Sequence, residues 1–365
     1  MYIKFIACGA AGGKALISAI DSGVCKKEDC LITNTTSKDV VDEYKDIFLR
    51  IGDSLKGCGK ERTLAKNITM QALKNNELPI DDFVTNGDPD MIVLVTSTSG
   101  GSGSGSSTIL AKYIKNVLGV NVHIFGFTGF GMDGREMQNT IEFFQDIEED
   151  FGIECISNEK FISNEFSITD MERAADYEFC DRMRVLQGLD IRDSVQNIDD
   201  TDLYKLSTTT GFMNIEYIEL PDKIKNATAF VSCLTEGLDN SKSLETSIGC
   251  HRLGIIINCR EEDLQYIDVH GGKIKDRYGV PYESFLHIQH ESDLGNFIAI
   301  IVGGMKLPTE EVKAVYETYK VLSQQVNKEK DNFFDDIGNL RGDQEDSMFN
   351  LQKNKKKMSK DDFFK

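Results

Sequence analysis

The sequence predicts an α/β protein with a mostly parallel sheet, followed by a smaller mixed α+β unit. Three observations predict it. Two glycine-rich turns each lie between an apolar strand and a helix. One of those strands, residues 91–96, is apolar at every position but the last, the pattern of a strand covered on both faces. Strand and helix patterns alternate along the first half of the chain, and β-rich runs gather in the second. The 365 residues suit one large or two ordinary domains, and 40% hydrophobic with 28% charged residues is a globular composition. No run approaches the 18 apolar residues of a membrane span. The opening Met1-Tyr2-Ile3-Lys4-Phe5-Ile6 is too short and strand-like for a signal peptide, so a cytoplasmic protein is expected. A net charge of −19 argues against broad direct contact with nucleic acid.

Residues 2–8 are β-rich and run into Gly9-Ala10-Ala11-Gly12-Gly13, after which Ala15 to Ile20 reads as a helix. Residues 31–33 form a second strand ending at Asn34. The strand over 91–96 precedes a Gly/Ser turn and a helix over 108–118, and 122–127 is a further strand. Thr169-Asp170-Met171-Glu172 is a capping-box pattern that opens a long helix to about Leu186, with Gly188 placed to end it. Another helical stretch reaches about Ser207. Runs over 228–234, 252–259, 266–270, 284–289 and 296–302 are β-rich, with a helical segment over 240–248 among them, and a last helix spans 309–328. The expected division is a nucleotide-type α/β domain over 1–188, a connecting helix and acidic loop over 189–220, an α+β domain over 221–328 and a tail over 329–365.

Nine cysteines, an odd number without a CxxC pair, read as reduced thiols that mostly fill the core. His287 and His290 are three apart, which on a strand puts them on opposite faces, so no metal site is expected there.

The strongest signal is Ser99-Gly100-Gly101-Ser102-Gly103-Ser104-Gly105, seven consecutive positions of Gly or Ser between an apolar strand and a helix. Glycine permits positive φ and a close backbone approach. Successive N–H groups then point into one concavity, and the helix N-terminus adds its positive dipole end. Such a turn suits oxyanions, with serine hydroxyls as extra donors. No GxxxxGK[ST] pattern is present, and Gly9-Ala10-Ala11-Gly12 does not supply the GxGxxG fingerprint, so the chemistry asks for a phosphate-binding scheme that uses two glycine turns.

The tubulin/FtsZ superfamily uses such a scheme, and the chain resembles it in six segments taken in order. Ser99 to Gly105 resembles the GGGTGTG or GGGTGSG signature, with Ser at 99, 102 and 104. Gly9 to Lys14 resembles the first glycine turn, departing at Ala10, Ala11 and Lys14. Asn34-Thr35-Thr36 resembles the segment after the second strand, and Gly57-Cys58-Gly59-Lys60 the loop that senses the γ-phosphate. Phe130-Gly131-Met132-Asp133-Gly134-Arg135 resembles FEGxxR, with Asp133 in the place of the ribose carboxylate; the family's second basic residue falls at Met137. Ile156-Ser157-Asn158-Glu159 resembles the start of the helix whose Asn reads guanine. The resemblance thereby implies that GTP is held by Gly9, Ala10, Ala11, Lys14, Asn34, Gly57, Gly59, Lys60, Gly100, Gly101, Ser102, Gly103, Ser104, Asp133, Arg135 and Asn158. For the remaining guanine contacts Tyr177 and Asp181 have the family's four-residue spacing, and Asp176 fits an alternative register.

Gly211-Phe212-Met213-Asn214-Ile215-Glu216-Tyr217-Ile218-Glu219 resembles the GxxNxDxxD loop that hydrolyses a neighbour's GTP, with Glu for Asp at 216 and 219. On that resemblance Asn214, Glu216 and Glu219 are the expected catalytic residues, orienting water beside the γ-phosphate. The implied protein is a GTPase that takes GTP/GDP with Mg²⁺ and assembles head to tail into dynamic filaments. The end of the chain, residues 353–365, carries six lysines against two aspartates. It resembles the tail of the plasmid and phage branch, TubZ, and the general texture resembles a clostridial phage member. That branch implies plasmid or phage DNA partition, with the basic tail engaging a DNA-bound TubR-like adaptor, no sequence-specific DNA contact by the body and no membrane partner. Two other readings stay open: an FtsZ-like division or structural filament, and a nucleotide-binding module or oxidoreductase of another class.

Overall fold

The computed structural model describes residues 1–335, apart from 39–40, 53–56, 148–149, 164 and 193–197. The first half is a βα alternation: β1 (Ile3–Cys8), α1 (Gly9–Asp21), β2 (Cys30–Asn34), β3 (Phe48–Arg50), α2 (Arg62–Lys74), α3 (Asp81–Thr85), β4 (Met91–Ser97), α4 (Ser102–Tyr113), β5 (Asn121–Phe127), α5 (Gly134–Asp146) and β6 (Gly152–Ile156). The long α6 (Ile168–Gln187) leads to α7 (Asp200–Ser207). The second half holds β7 (Gly211–Glu219), α8 (Ala227–Asp239), β8 (Arg252–Asn258), α9 (Gly272–Tyr278), β9 (Glu283–Gln289), β10 (Phe297–Met305) and α10 (Thr309–Asp335).

All ten strands join one sheet in the order β3-β2-β1-β4-β5-β6-β7-β10-β8-β9. Strands β1 to β7 pair in parallel, β10 runs antiparallel to β7 and β8, and β8 pairs with β9 in parallel. Within the sheet β6 and β7 pair at two positions, Gly152 with Gly211 and Ile153 with Phe212, and an isolated bridge joins Ile156 to Ser243. This is the α/β architecture the sequence predicts.

Both faces of the parallel half are covered, as its unalternating strands require. On one face Phe5, Ala7, Val93 and Val95 pack with Ala15, Leu16, Phe179 and Met183 of α1 and α6; on the other Ile6, Ile92 and Leu94 pack with Leu110, Tyr113 and Phe143 of α4 and α5. Phe179 stands edge-on to Phe125 at 4.9 Å, which seats α6 on β5. Helices α1 and α6 lie side by side and run the same way, matching Lys14 to Glu172, Ser18 to Asp176 and Ser22 to Cys180.

Several boundaries differ from expectation. The capping box of α6 is formed by Ser167 and Asp170, not by Thr169 and Glu172, because Ser167 is the last residue with extended backbone. Gly188 does end that helix in the left-handed region. The helix linking the two halves is therefore α6; residues 189–220 hold instead the short α7 and the strand β7. Helix α4 starts six residues before its predicted position, so most of the Gly/Ser run is helical. All nine cysteines are free thiols, seven of them buried. His287 bonds Gln289 and His290 bonds the Cys259 carbonyl. Residues 353–365, the basic tail, lie outside the described residues.

Candidate functional site

Parallel strands send all their C-terminal ends to one pole of the molecule, and the glycine turns follow β1 and β4 there. The close approach is extreme. A Cβ on Gly9 would lie 2.8 Å from Gly103, one on Gly103 would lie 2.5 Å from the Cys8 carbonyl oxygen, and one on Gly12 would lie 2.1 Å from the Val95 carbonyl oxygen. The two turns thus touch backbone to backbone, and Gly9 also needs its φ of +78°. A third segment crosses the second turn, where a Cβ on Gly101 would come within 2.6 Å of Lys60. Gly100 meets nothing within 4 Å and faces open space. The helices α1 and α4 begin at these turns, so their free N–H groups and dipoles converge on one concavity. Ala10, Ala11 and Lys14 occupy the exposed side of the first turn of α1.

The serine hydroxyls have other partners than expected. Ser104 donates back to the Gly100 carbonyl and Ser106 to the Ser102 carbonyl, inside the helix, while Ser102 pairs with Thr35 at 2.7 Å. The anion donors of the second turn are therefore mainly backbone N–H groups. Asn34, buried at the end of β2, accepts from the Thr35 N–H at 2.8 Å and fixes that edge. Gly57 and Gly59 have φ of +67° and +55°, and Lys60, not a glycine, has +65°. Asn139, which the sequence did not single out, is 1% exposed and donates to the carbonyls of Lys60 (3.0 Å) and Ser99 (2.9 Å). It ties the third segment to the Gly/Ser turn.

Asp133 caps α5, accepting from the N–H groups of Arg135 and Glu136. Its other oxygen takes the Lys60 ammonium at 2.8 Å, and this bond holds the carboxyl below its usual range. Arg135 pairs with Glu61 at 3.0 Å. Asn158 opens the turn after β6, and its Oδ1 is buried without a protein partner. An orphaned buried acceptor beside the glycine turns fits a base that offers N–H donors. Of the guanine alternatives, the structure brings Asp176 to α1, 3.4 Å from Ser18, where burial raises its carboxyl to about 7 against the pull of Lys14. Tyr177 is 56% exposed on the next stripe of α6, and Asp181 lies a turn further from the site, within the charge field of Glu178, Arg184, Glu219 and Asp190. Neither faces α1.

The expected catalytic loop is not a loop. Residues 211–219 are β7, and Asn214 and Glu216 are each 4% exposed. They face inward to Arg182, which is fully buried on α6 and also bonds Glu154 and Glu178. Ser241 donates to Glu216, and Asn214 donates to the Tyr278 hydroxyl at 2.6 Å. Glu219 is exposed, but β7 runs parallel to β6, so its last residue lies toward the phosphate pole. Asn214 and Glu216 are thus buried and Glu219 lies toward the phosphate pole, so none of the three is presented at the opposite pole.

That opposite pole holds another acidic segment. Asp199 caps α7 through the Asp202 N–H at 2.8 Å, and Asp200 stands 3.8 Å from the amino terminus that precedes β1. Gln187, at the end of α6, bonds the Val24 carbonyl below α1. The 20 residues of α6 span roughly 30 Å, so Asp199 and Asp202 lie about that far from the phosphate turns. The missed signal was spacing: Asn197-Ile198-Asp199-Asp200-Thr201-Asp202 has the N-x-D-x-x-D order with aspartate at both acidic positions, and Ser194 where the glycine would be. Asn197 lies outside the described residues. Among the described residues no cluster of three His, Cys, Asp or Glu side chains is arranged to hold a metal, and no helix is long and apolar enough to cross a membrane.

No protein-family model matches the chain, and no curated protein matches it in sequence. Solved structures do match in fold. TubZ of Clostridium botulinum phage c-st superposes with a TM-score of 0.68 at 22% identity, covering 88% of this chain and 98% of that one. A GTPγS-bound protofilament of CetZ2 from Haloferax volcanii gives 0.74 at 17% identity, covering 90% and 100%. FtsZ from M. jannaschii gives 0.64 at 19% identity, covering 83% and 88%. The chain has the fold shared by TubZ, CetZ and FtsZ.

Proposed function

We propose that the protein is a guanine-nucleotide hydrolase that assembles head to tail into filaments, the nucleotide of one copy being hydrolysed with carboxylates of the next. The observation that carries this reading is the separation of two incomplete half-sites. Backbone donors for a triphosphate sit at one pole, and Asp199 and Asp202 sit about 30 Å away at the other. One copy cannot join them; a heterologous contact between copies can, and such a contact repeats into a filament. The CetZ2 neighbour, a GTPγS-bound protofilament, supports nucleotide binding together with self-assembly.

The chemistry follows from the parts. Backbone N–H groups and helix N-termini of α1 and α4 would bind the phosphates, Asn158 and Asp176 would meet the base, and Asp133 would take the ribose hydroxyls. A Mg²⁺ ion would enter with the triphosphate, held by phosphate oxygens, and would neutralise charge as the terminal phosphate leaves. Asp199 and Asp202 of the adjoining copy, with Asn197, would orient the attacking water. Exposed apolar residues at both poles support the contact: Ile162, Phe166 and Ile168 beside the nucleotide rim, and Ile248, Val280 and Tyr282 where β8 and β9 begin at the other pole. The finer reading, DNA partition through an adaptor, is supported by the lysine-rich tail, whose sign opposes that of the body and of adaptor-bound DNA.

The test is the pair Asp199→Ala and Asp202→Ala, assayed by light scattering and phosphate release with GTP. Both variants should still assemble, while phosphate release falls by about 10²-fold or more. Unchanged release would overturn the assignment.

A further inference from the structure

His287 and Gln289 stand two residues apart on one face of β9, and both are buried. Both turn to the connection between α6 and α7 that leads into the acidic segment. The Gln289 side-chain oxygen accepts from the Arg192 N–H at 2.9 Å, and its amide nitrogen donates to the Asp190 carbonyl at 2.8 Å. His287 Nδ1 lies 3.4 Å from the Ile198 backbone nitrogen, and its Nε2 lies 2.8 Å from the Gln289 side-chain oxygen. Ile198 is itself buried and immediately precedes Asp199.

One arrangement of protons satisfies all four bonds. A backbone N–H only donates, so His287 Nδ1 carries the lone pair and the proton sits on Nε2, facing the Gln289 oxygen. The amide cannot be turned round, because its NH₂ would then meet two donors and its oxygen a carbonyl. Burial lowers the pKa of the ring and favours this neutral form. The support is stiff as well, since β9 pairs with β8 along its whole length. A strand of the second half thus grips the connection at Asp190, Arg192 and Ile198.

We infer that His287 is a positioning residue for hydrolysis: its Nδ1, oriented by Gln289, fixes the Ile198 peptide and with it the placing of Asp199 and Asp202. This role rests on the catalysis proposed above for those two carboxylates. Asp199 caps α7 through the Asp202 N–H, so the two acids move together with the first turn of this short helix. The peptide just before the cap sets where that turn begins. Without the Nδ1 acceptor a buried N–H loses its partner, and the chain must shift to satisfy it. A displacement of about 1 Å is enough to cost about 10²-fold in rate.

The test is a pair of polar substitutions in the full-length protein, His287→Asn and His287→Gln. Each is read by phosphate release with saturating GTP, light scattering, nucleotide affinity and thermal melting. The amide of His287→Asn reaches as far as Nδ1 and keeps the bond to Ile198; that of His287→Gln reaches as far as Nε2 and keeps the bond to Gln289. His287→Asn should retain most of the wild-type release. His287→Gln should release phosphate about tenfold or more slowly, with nucleotide affinity and scattering unchanged. Each variant loses one buried hydrogen bond, so their melts should be alike. Equal release in the two, or a loss that follows melting temperature, would overturn the role. A second measurement needs no variant: the wild-type Ile198 amide should exchange its hydrogen slowly, and exchange as fast as that of an exposed loop amide would also overturn it. Unchanged release in Asp199→Ala and Asp202→Ala would instead overturn the reading beneath.

Discussion

At the scale of single residues, the glycines of the two turns divide into two kinds that composition cannot separate. Gly103 is required by packing, because a methyl group would stand 2.5 Å from the Cys8 carbonyl oxygen and 2.9 Å from the Thr96 hydroxyl. Gly100 is required by nothing in the fold. Gly103→Ala should therefore destabilise the protein by about 1–3 kcal/mol or more. Gly100→Ala should melt like the wild type and weaken nucleotide binding, since its methyl group would stand in the concavity. Thermal melts paired with nucleotide titrations separate the two, and equal stability loss would contradict the division. His123 makes a second residue-scale case. It is fully buried with neither ring nitrogen partnered by protein, and its nearest charge is Glu154 at 3.9 Å. Burial holds the ring neutral, lowering it from 6.5 to about 3, and burial also raises Glu154 from 4.5 to about 7 despite Arg182. The signs oppose. Below 6.5 the unfolded chain protonates His123 and the fold does not, so this residue's contribution is lost as pH falls. Between 4.5 and 7 the fold protonates Glu154 and the unfolded chain does not, so stability from that group is lost as pH rises. In the wild type the two slopes, each at most about 1.4 kcal/mol per pH unit, offset one another. His123→Leu removes one slope and two unpaired nitrogens, so the variant should be more stable at pH 5 than at pH 7, while the wild type changes less. Urea unfolding at both pH values decides, and parallel pH profiles would refute the account.

At the scale of elements, what could be read from sequence depended on whether the signal was local. The strand β4 was legible because its run is apolar without alternation, β1 because a β-rich run meets a glycine turn, and Gly188 marked the end of α6. The six resembling segments each follow one of the parallel strands β1 to β6 and lie at one pole, where Lys60 bonds Asp133 and the Gly131 N–H bonds Glu159. What failed was period and register. The run Gly-Phe-Met-Asn-Ile-Glu-Tyr-Ile-Glu alternates: Met213, Ile215 and Tyr217 enter one core, while Phe212, Asn214, Glu216 and Ile218 face the other way. That period of two is a strand signal, and polar residues on its inner face required a buried partner. The partner is Arg182, which comes from α6 and could not be paired with β7 without the fold. Burial disfavours its charge, and Glu178, Glu216 and Glu154 more than offset this. The extent of the Gly/Ser turn was misread for a similar reason. Serine and glycine are weak helix formers, yet Ser102 to Ser107 is helical because tertiary packing overrides propensity, Gly103 lying against Cys8 and Gly105 against Arg62 and Ala65.

At the scale of the whole molecule, the long connecting helix converts a chemical requirement into an assembly rule. Its first turns face α1 at the phosphate pole through Glu172 and Asp176, its last residue closes the opposite pole at Val24, and its middle anchors the second half through Arg182. A copy that binds nucleotide at one end therefore presents its acidic segment at the other, with the distance fixed by a rigid rod. On the proposed reading, hydrolysis depends on how many copies are joined. Phosphate release per subunit should be close to nil at high dilution and should rise steeply once concentration permits end-to-end contact, since a dimer completes one site of two and a long filament nearly all. Removing residues 353–365 should leave this concentration dependence unchanged, because the phosphate turns and the Asp199–Asp202 segment belong to the elements β1 to α7. The same truncation should weaken recruitment to an adaptor-coated DNA, with the largest difference at low salt, where six lysines are least screened. Turnover per subunit that is independent of concentration would show that one copy holds a complete site, and the two-pole arrangement would then have no role in the chemistry.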